Sequence, residues 1–175
     1  MNLKRFRIAT RLVGAMFIAG ATLMATPAST QSGKSMMESG EAARLLRGIR
    51  WDASTVMTYA RRWEHLANTS SDVWLSYDRQ WNELKPAVEG MNMRLRWLEG
   101  MRAKLPPAQQ QAIARIRPVV RKVESHTHRL RVLLDQSGMN LPTAAFRRQS
   151  AVLAKDARQI AMTARQAGAN DKNSG

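Results

Sequence analysis

Residues 72–105 read DVWLSYDRQWNELKPAVEGMNMRLRWLEGMRAKL. Their apolar members are Trp74, Tyr77, Trp81, Leu84, Val88, Met91, Leu95, Leu98 and Leu105, in alternating steps of three and four broken only where Arg102 takes a seam position. Steps of three and four place side chains above one another on a single face of an α-helix. A stripe this long stays dry only when other helices lie against it.

Three further segments have the same period. Residues 36–67 carry Ala42, Leu45, Leu46, Ile49, Ala53, Val56, Tyr59, Ala60, Trp63 and Leu66 on one face. Residues 107–136 carry Ile113, Ile116, Val120, Val123, Thr127, Leu130 and Leu134, and residues 142–167 carry Phe146, Ser150, Leu153, Ala157, Ile160, Ala164 and Ala167. The last stripe is small and alanine-rich, so that helix should pack closely. The breaks between segments are short: Asn68-Thr69-Ser70-Ser71, Pro106-Pro107 and Ser137-Gly138-Met139-Asn140. They offer hydroxyl N-caps, a proline helix start and a glycine C-cap. Short turns between long helices make neighbours antiparallel. The expected fold is therefore all-α, an up-down-up-down antiparallel four-helix bundle with long, slightly kinked helices at about 36–67, 72–105, 107–136 and 142–167. Pro86, Gly90 and Pro118 should bend or interrupt their helices. With Gly48 they fall at similar heights and suggest a weak belt. Residues 29–35 are expected to be a flexible lead-in and 168–175 a frayed tail.

The first 28 residues have the pattern of a secretory signal peptide. Lys4, Arg5, Arg7 and Arg11 form a basic start, Leu12 to Leu23 an apolar run, and Ala25-Thr26-Pro27-Ala28 a small-residue cleavage site. The apolar run is too short for a comfortable membrane span. The alternative is an uncleaved N-terminal anchor. Cleavage would leave a periplasmic or secreted protein with no span in the mature chain, since no later stretch reaches spanning length. The absence of cysteine excludes disulfides, thiolate metal sites, a cysteine nucleophile and a lipoprotein anchor.

Little in the sequence points to catalysis or to a cofactor. No nucleophile elbow, Gly-rich phosphate loop or inward Glu-x-x-His pair is present, and the reading is non-enzymatic. His126 and His128 are two apart and diverge on a helix, so no metal site is expected. The eleven methionines read as core filler rather than soft-metal ligands.

Charge is more informative. The chain carries +15. Without the four basic residues of the leader, 24 basic residues face 13 acids, a net charge of +11. The last two helices hold Arg115, Arg117, Arg121, Lys122, Arg129, Arg131, Arg147, Arg148, Lys155, Arg158 and Arg165 against Glu124, Asp135 and Asp156, or +8 of that total. One-sided positive charge attracts an anionic partner, although arginine-coated helices can also be mere solvation. Export argues against nucleic acid. Trp51 and Trp97 fall on outer helix faces, each beside an arginine, a composition typical of interface hot spots. The expected partner is a protein or an anionic envelope component, with a homodimer as a further option. The expected contacts are Trp51, Trp97, Arg117, Arg121, Lys122, Arg147, Arg148 and Arg158. The alternative is a ligand or metal carrier using the aromatic-rich end of the bundle, with Tyr59, Trp63, Trp74, Tyr77, Trp81 and His126.

Leu105-Pro106-Pro107-Ala108-Gln109-Gln110-Gln111 is similar to the Leu-Thr-x-x-Gln motif of the small, basic, all-helical periplasmic stress chaperones related to Spy and CpxP. Here Pro106 replaces the threonine, and Leu141-Pro142-Thr143 is only a poor second copy. The seven residues also read as a helix start, and the chain is not assigned to that family on them.

Overall fold

A computed structural model describes residues 28–66, 74–137 and 143–170. They form α1 (Ala28–Leu66), α2 (Trp74–Met101), a short 3-10 turn (Arg102–Lys104), α3 (Pro107–Ser137) and α4 (Thr143–Asn170). There is no strand among the described residues. The four helices pack in cyclic order, α1 against α2 and α4, and α3 against α4 and α2. This is the expected four-helix bundle.

The seams are unequal. The α1/α4 contact is the most extensive and the α2/α3 contact the sparsest. Side-chain size accounts for this. On α1, Ala42, Ala53 and Ala60 are buried, and on α4 Ala154, Ala157, Ala164 and Ala167. Small side chains let helix axes approach. The fully buried core includes Leu46, Ile49, Trp63, Tyr77, Leu84, Met91, Leu98, Ile113, Ile116, Leu130, Leu134 and Phe146. These are stripe residues of all four helices.

Boundaries differ from expectation at three places. α1 begins at Ala28 rather than near 36, so the polar lead-in is helical. It follows Pro27, and no proline interrupts 28–66. α2 stops at Met101, and Arg102–Lys104 tighten into a 3-10 turn. A continued α-helix would have put Arg102 on the seam. The tighter turn leaves Arg102 exposed, and extended backbone at Leu105 (φ −88°, ψ 156°) returns that side chain to the core. α4 continues to Asn170, so the first residues of the expected tail are helical. Pro118 lies inside an unbroken α3 and Pro86 inside an unbroken α2. Both prolines are exposed. Residues 1–27 of the expected leader, both longer turns, the last five residues and the Trp74 side chain lie outside the described residues.

The glutamine motif proves to be a packed helix start. Pro107 opens α3, and the Gln110 side chain donates to the Leu105 carbonyl at 2.7 Å. Gln109 is buried, and its amide donates to the Ser39 hydroxyl at 3.1 Å, tying α3 to α1. Lys104 and Glu38 pair at 3.2 Å beside it.

Candidate functional site

In the cyclic order of the bundle, the α1/α2 face and the α3/α4 face are opposite sides. Arg115, Lys122, Arg129, Arg148 and Lys155 belong to the second and the exposed Trp51 and Trp97 to the first. Of the expected contacts, Lys122 and Arg148 are separated from Trp51 and Trp97 by the thickness of the bundle.

On α3, Arg115, Lys122 and Arg129 are seven residues apart and exposed, forming one row. On α4, Arg148 and Lys155 form another. His126 sets the register between the helices, its Nδ1 meeting the Gln149 amide and its Nε2 lying 3.4 Å from Asp156 Oδ2. That register places Arg129 level with Arg148, and Lys122 level with Lys155. Among the described residues none of these five cations has an ion-pair partner.

The acids of α3 and α4 are all turned elsewhere. Asp156 is 9% exposed against His126. Asp135 pairs with Arg131 at 3.0 Å, and Glu124 lines the cleft towards α2. The outward α3/α4 face is therefore more strongly positive than a residue count shows. Val152 and Met162 are exposed apolar residues of α4.

The expected basic contacts divide. Lys122 and Arg148 lie in the outward rows. Arg117 is held by Glu99 at 3.0 Å and Arg121 lines the α2/α3 cleft, so both face α2. Helical phase puts Arg147 and Arg158 on the α1 side of α4, both exposed. Arg131 is occupied too: it pairs with Asp78 at 3.3 Å and lies over the Trp81 ring at 5.4 Å.

On the opposite side, Trp51 is 72% exposed, Trp97 65% and Met93 48%. A groove of about 640 Å³ between α1 and α2 is lined by Leu45, Gly48, Met93, Arg94 and Trp97 with Glu41 and Arg44. Beneath it lies a feature that sequence reasoning missed. Asp52 is only 5% exposed and accepts from Arg94 at 2.5 Å. Gly48 and Gly90 make room for this pair. A Cβ at Gly48 would lie 2.4 Å from Arg94 Nε, and one at Gly90 2.6 Å from Arg94 Nη1. These glycines seat an interhelical ion pair. Burial pushes the Asp52 carboxyl above its ordinary range, while the charge and hydrogen bond of Arg94 pull the other way. An acid one residue before the core position Ala53, level with two helical glycines, was the available signal.

The aromatic end is filled by its own rings. Trp63 stacks on Trp81 with centroids 6.0 Å apart, and Tyr77 meets Phe146 edge-on at 5.1 Å. Trp63 also touches Tyr77 and Phe146, at 6.1 and 5.8 Å. Trp63, Tyr77 and Phe146 are fully buried, and desolvation raises the Tyr77 hydroxyl to about 12. Tyr59 lies outside this cluster, beneath Arg62 at 5.4 Å. His126 is not part of it either, since it is engaged by Gln149 and Asp156. Phe146, which the ligand reading did not include, takes the position facing the rings.

The sparse α2/α3 seam opens as a cleft of about 580 Å³, floored by Trp81, Val88 and Thr127, with Asp78, Lys85, Glu89, Glu124, His128 and Arg131 at its rim. A second hollow of about 350 Å³ adjoins it through Glu89, Asn92 and Glu124. Ion pairs clasp the two ends, Asp78 with Arg131 and Glu99 with Arg117. The rim mixes both charge signs, so it selects no ligand charge. Among the described residues no three His, Asp or Glu side chains converge as metal ligands.

No family model matches the chain, and neither the curated proteins nor the solved structures contain a match.

Proposed function

We propose that this protein is exported and acts, without catalysis, by binding a phosphate-bearing anionic membrane surface of the cell envelope through its outward α3/α4 face. One observation carries the reading. Among the described residues, five cations on that face, Arg115, Lys122, Arg129, Arg148 and Lys155, have no ion-pair partner, and the three acids of α3 and α4 are all turned away. A basic side chain near an anionic surface contributes about 1 kcal/mol. Five such contacts give about 5 kcal/mol, a reversible attachment that weakens with salt. Exposed Val152 and Met162 add a small apolar component. No described helix is long and apolar enough to cross a membrane, which fits peripheral contact.

The test is sedimentation with vesicles of phosphatidylglycerol and, separately, of phosphatidylcholine. Binding should be confined to the anionic vesicles and fall with added salt. Lys122→Glu with Lys155→Glu should weaken it by several hundredfold or more, since each reversal removes an attraction and adds a repulsion. Equal binding to both vesicle types, or no effect of the reversals, would refute the reading.

A further inference from the structure

We infer that the α1/α2 face is a self-association surface, and that the protein works as a back-to-back pair with its two basic faces pointing in opposite directions. The pairing stands on its own observations, whereas its consequence for membranes rests on the function proposed above.

Three observations identify the occupant of this face. The first is apolar exposure. Trp51, Met93 and Trp97 are largely open to solvent, while Trp63 is fully buried. The Asp52–Arg94 pair sets the register, with Trp51 level with Met93 and Trp97 beside Gly48 in one groove. At these exposures the three side chains present about 300–400 Å² of surface, close to half of the roughly 800 Å² that each partner contributes to a standard interface. The groove walls, including Leu45 and the stems of Arg44 and Arg94, can supply much of the rest.

The second observation is charge. Two copies of a chain this basic repel each other unless they meet on a near-neutral side. Over the described ranges, α1 and α2 together hold ten basic residues and eight acids, whereas α3 and α4 hold eleven and three. The tryptophans lie on the balanced side.

The third is geometry. A bundle of this kind is about 20 Å thick. A twofold contact through α1/α2 therefore holds the basic faces about 40 Å apart, around five Debye lengths at physiological salt. Self-repulsion across the pair is then screened. A twofold interface uses the same patch on both copies, so each Trp97 would meet the groove of the other copy.

Such a pair is bivalent. One basic face holds one anionic surface, and the other is free to hold a second. Weak individual attachment becomes strong when both faces are engaged.

The experiment uses the protein recovered after export. Sedimentation velocity and native mass spectrometry should show two copies. Trp51→Ala with Trp97→Ala should weaken self-association by about 100-fold or more and leave helicity unchanged, because both side chains are exposed. Mixed with phosphatidylglycerol vesicles, the wild-type chain should bind and clump them, and the tryptophan variant should bind without clumping. Lys122→Glu with Lys155→Glu should still pair but bind the vesicles several hundredfold more weakly. A wild-type chain that stays single at high concentration would overturn the inference, as would a pair unaffected by the tryptophan changes. A single chain whose tryptophan face is covered only by a different protein would do the same. A pair that ignores anionic vesicles would sink the proposed function and leave the pairing standing.

Discussion

Replacing Gly90 with alanine opposes two effects of known size. Alanine is favoured over glycine in a helix interior by about 1 kcal/mol, so an ordinary helical glycine gains stability from the change. At Gly90 the new Cβ would lie 2.6 Å from Arg94 Nη1 and 2.9 Å from Asp52 Oδ2. Neither approach is tolerable, and the flexible arginine is the group that moves. Its departure leaves a 5% exposed carboxylate without its partner. Removing one member of a buried ion pair costs about 3–5 kcal/mol. Because the Arg94 side chain is 31% exposed, the low end, about 3 kcal/mol, applies. Net destabilisation should be about 2 kcal/mol, lowering Tm by about 4–8 °C for a chain of this size. Thermal and urea melts followed by circular dichroism measure it. In an Arg94→Ala background Gly90→Ala should cost less than it does in the wild type, because the Arg94 contact and the ion pair are already gone and only the 2.9 Å approach to Asp52 Oδ2 opposes the helical gain. A single Gly90→Ala variant more stable than wild type would show that the Asp52–Arg94 geometry does not govern this position.

Two further outcomes follow from the same packing. Asp52 holds its proton more tightly in the folded chain than in the unfolded one. Its contribution to stability should therefore decline as pH rises from the ordinary carboxylate range through the raised value, and then level off. Urea melts of wild type and Asp52→Asn at several pH values should show the difference moving against wild type as pH rises, and the opposite slope would contradict the raised value. Phe146→Ala opens a hole against Trp63 and Tyr77 and should cost about 3–5 kcal/mol, with altered tryptophan fluorescence. A loss below about 1 kcal/mol would mean that the rings are not closely packed.

The candidate surface was only partly legible in the sequence. Helical phase alone identified Trp51 and Trp97 as outward-facing, and composition identified α3 and α4 as basic. Neither could say that the two features lie on opposite sides, since that depends on which helices become neighbours. Asp52 and Arg94 escaped notice because they are 42 residues apart, and nothing local marks them as partners. His126, named with the aromatic end in the ligand reading, makes its contacts with Gln149 and Asp156 on α4.

What the sequence by itself determined is the number, period and order of the helices, their antiparallel arrangement and most of the apolar core. These depend on local spacing: a three-and-four repeat admits one dry face, and short turns admit one return path. Tertiary structure alone decided how the helix faces pair. Alanines on α1 and α4 drew that seam tight while α2 and α3 stayed apart, and the acids of α3 and α4 were turned from the outward face. Whether a charge is neutralised depends on the distance to residues far away in the chain, and only the assembled bundle sets those distances.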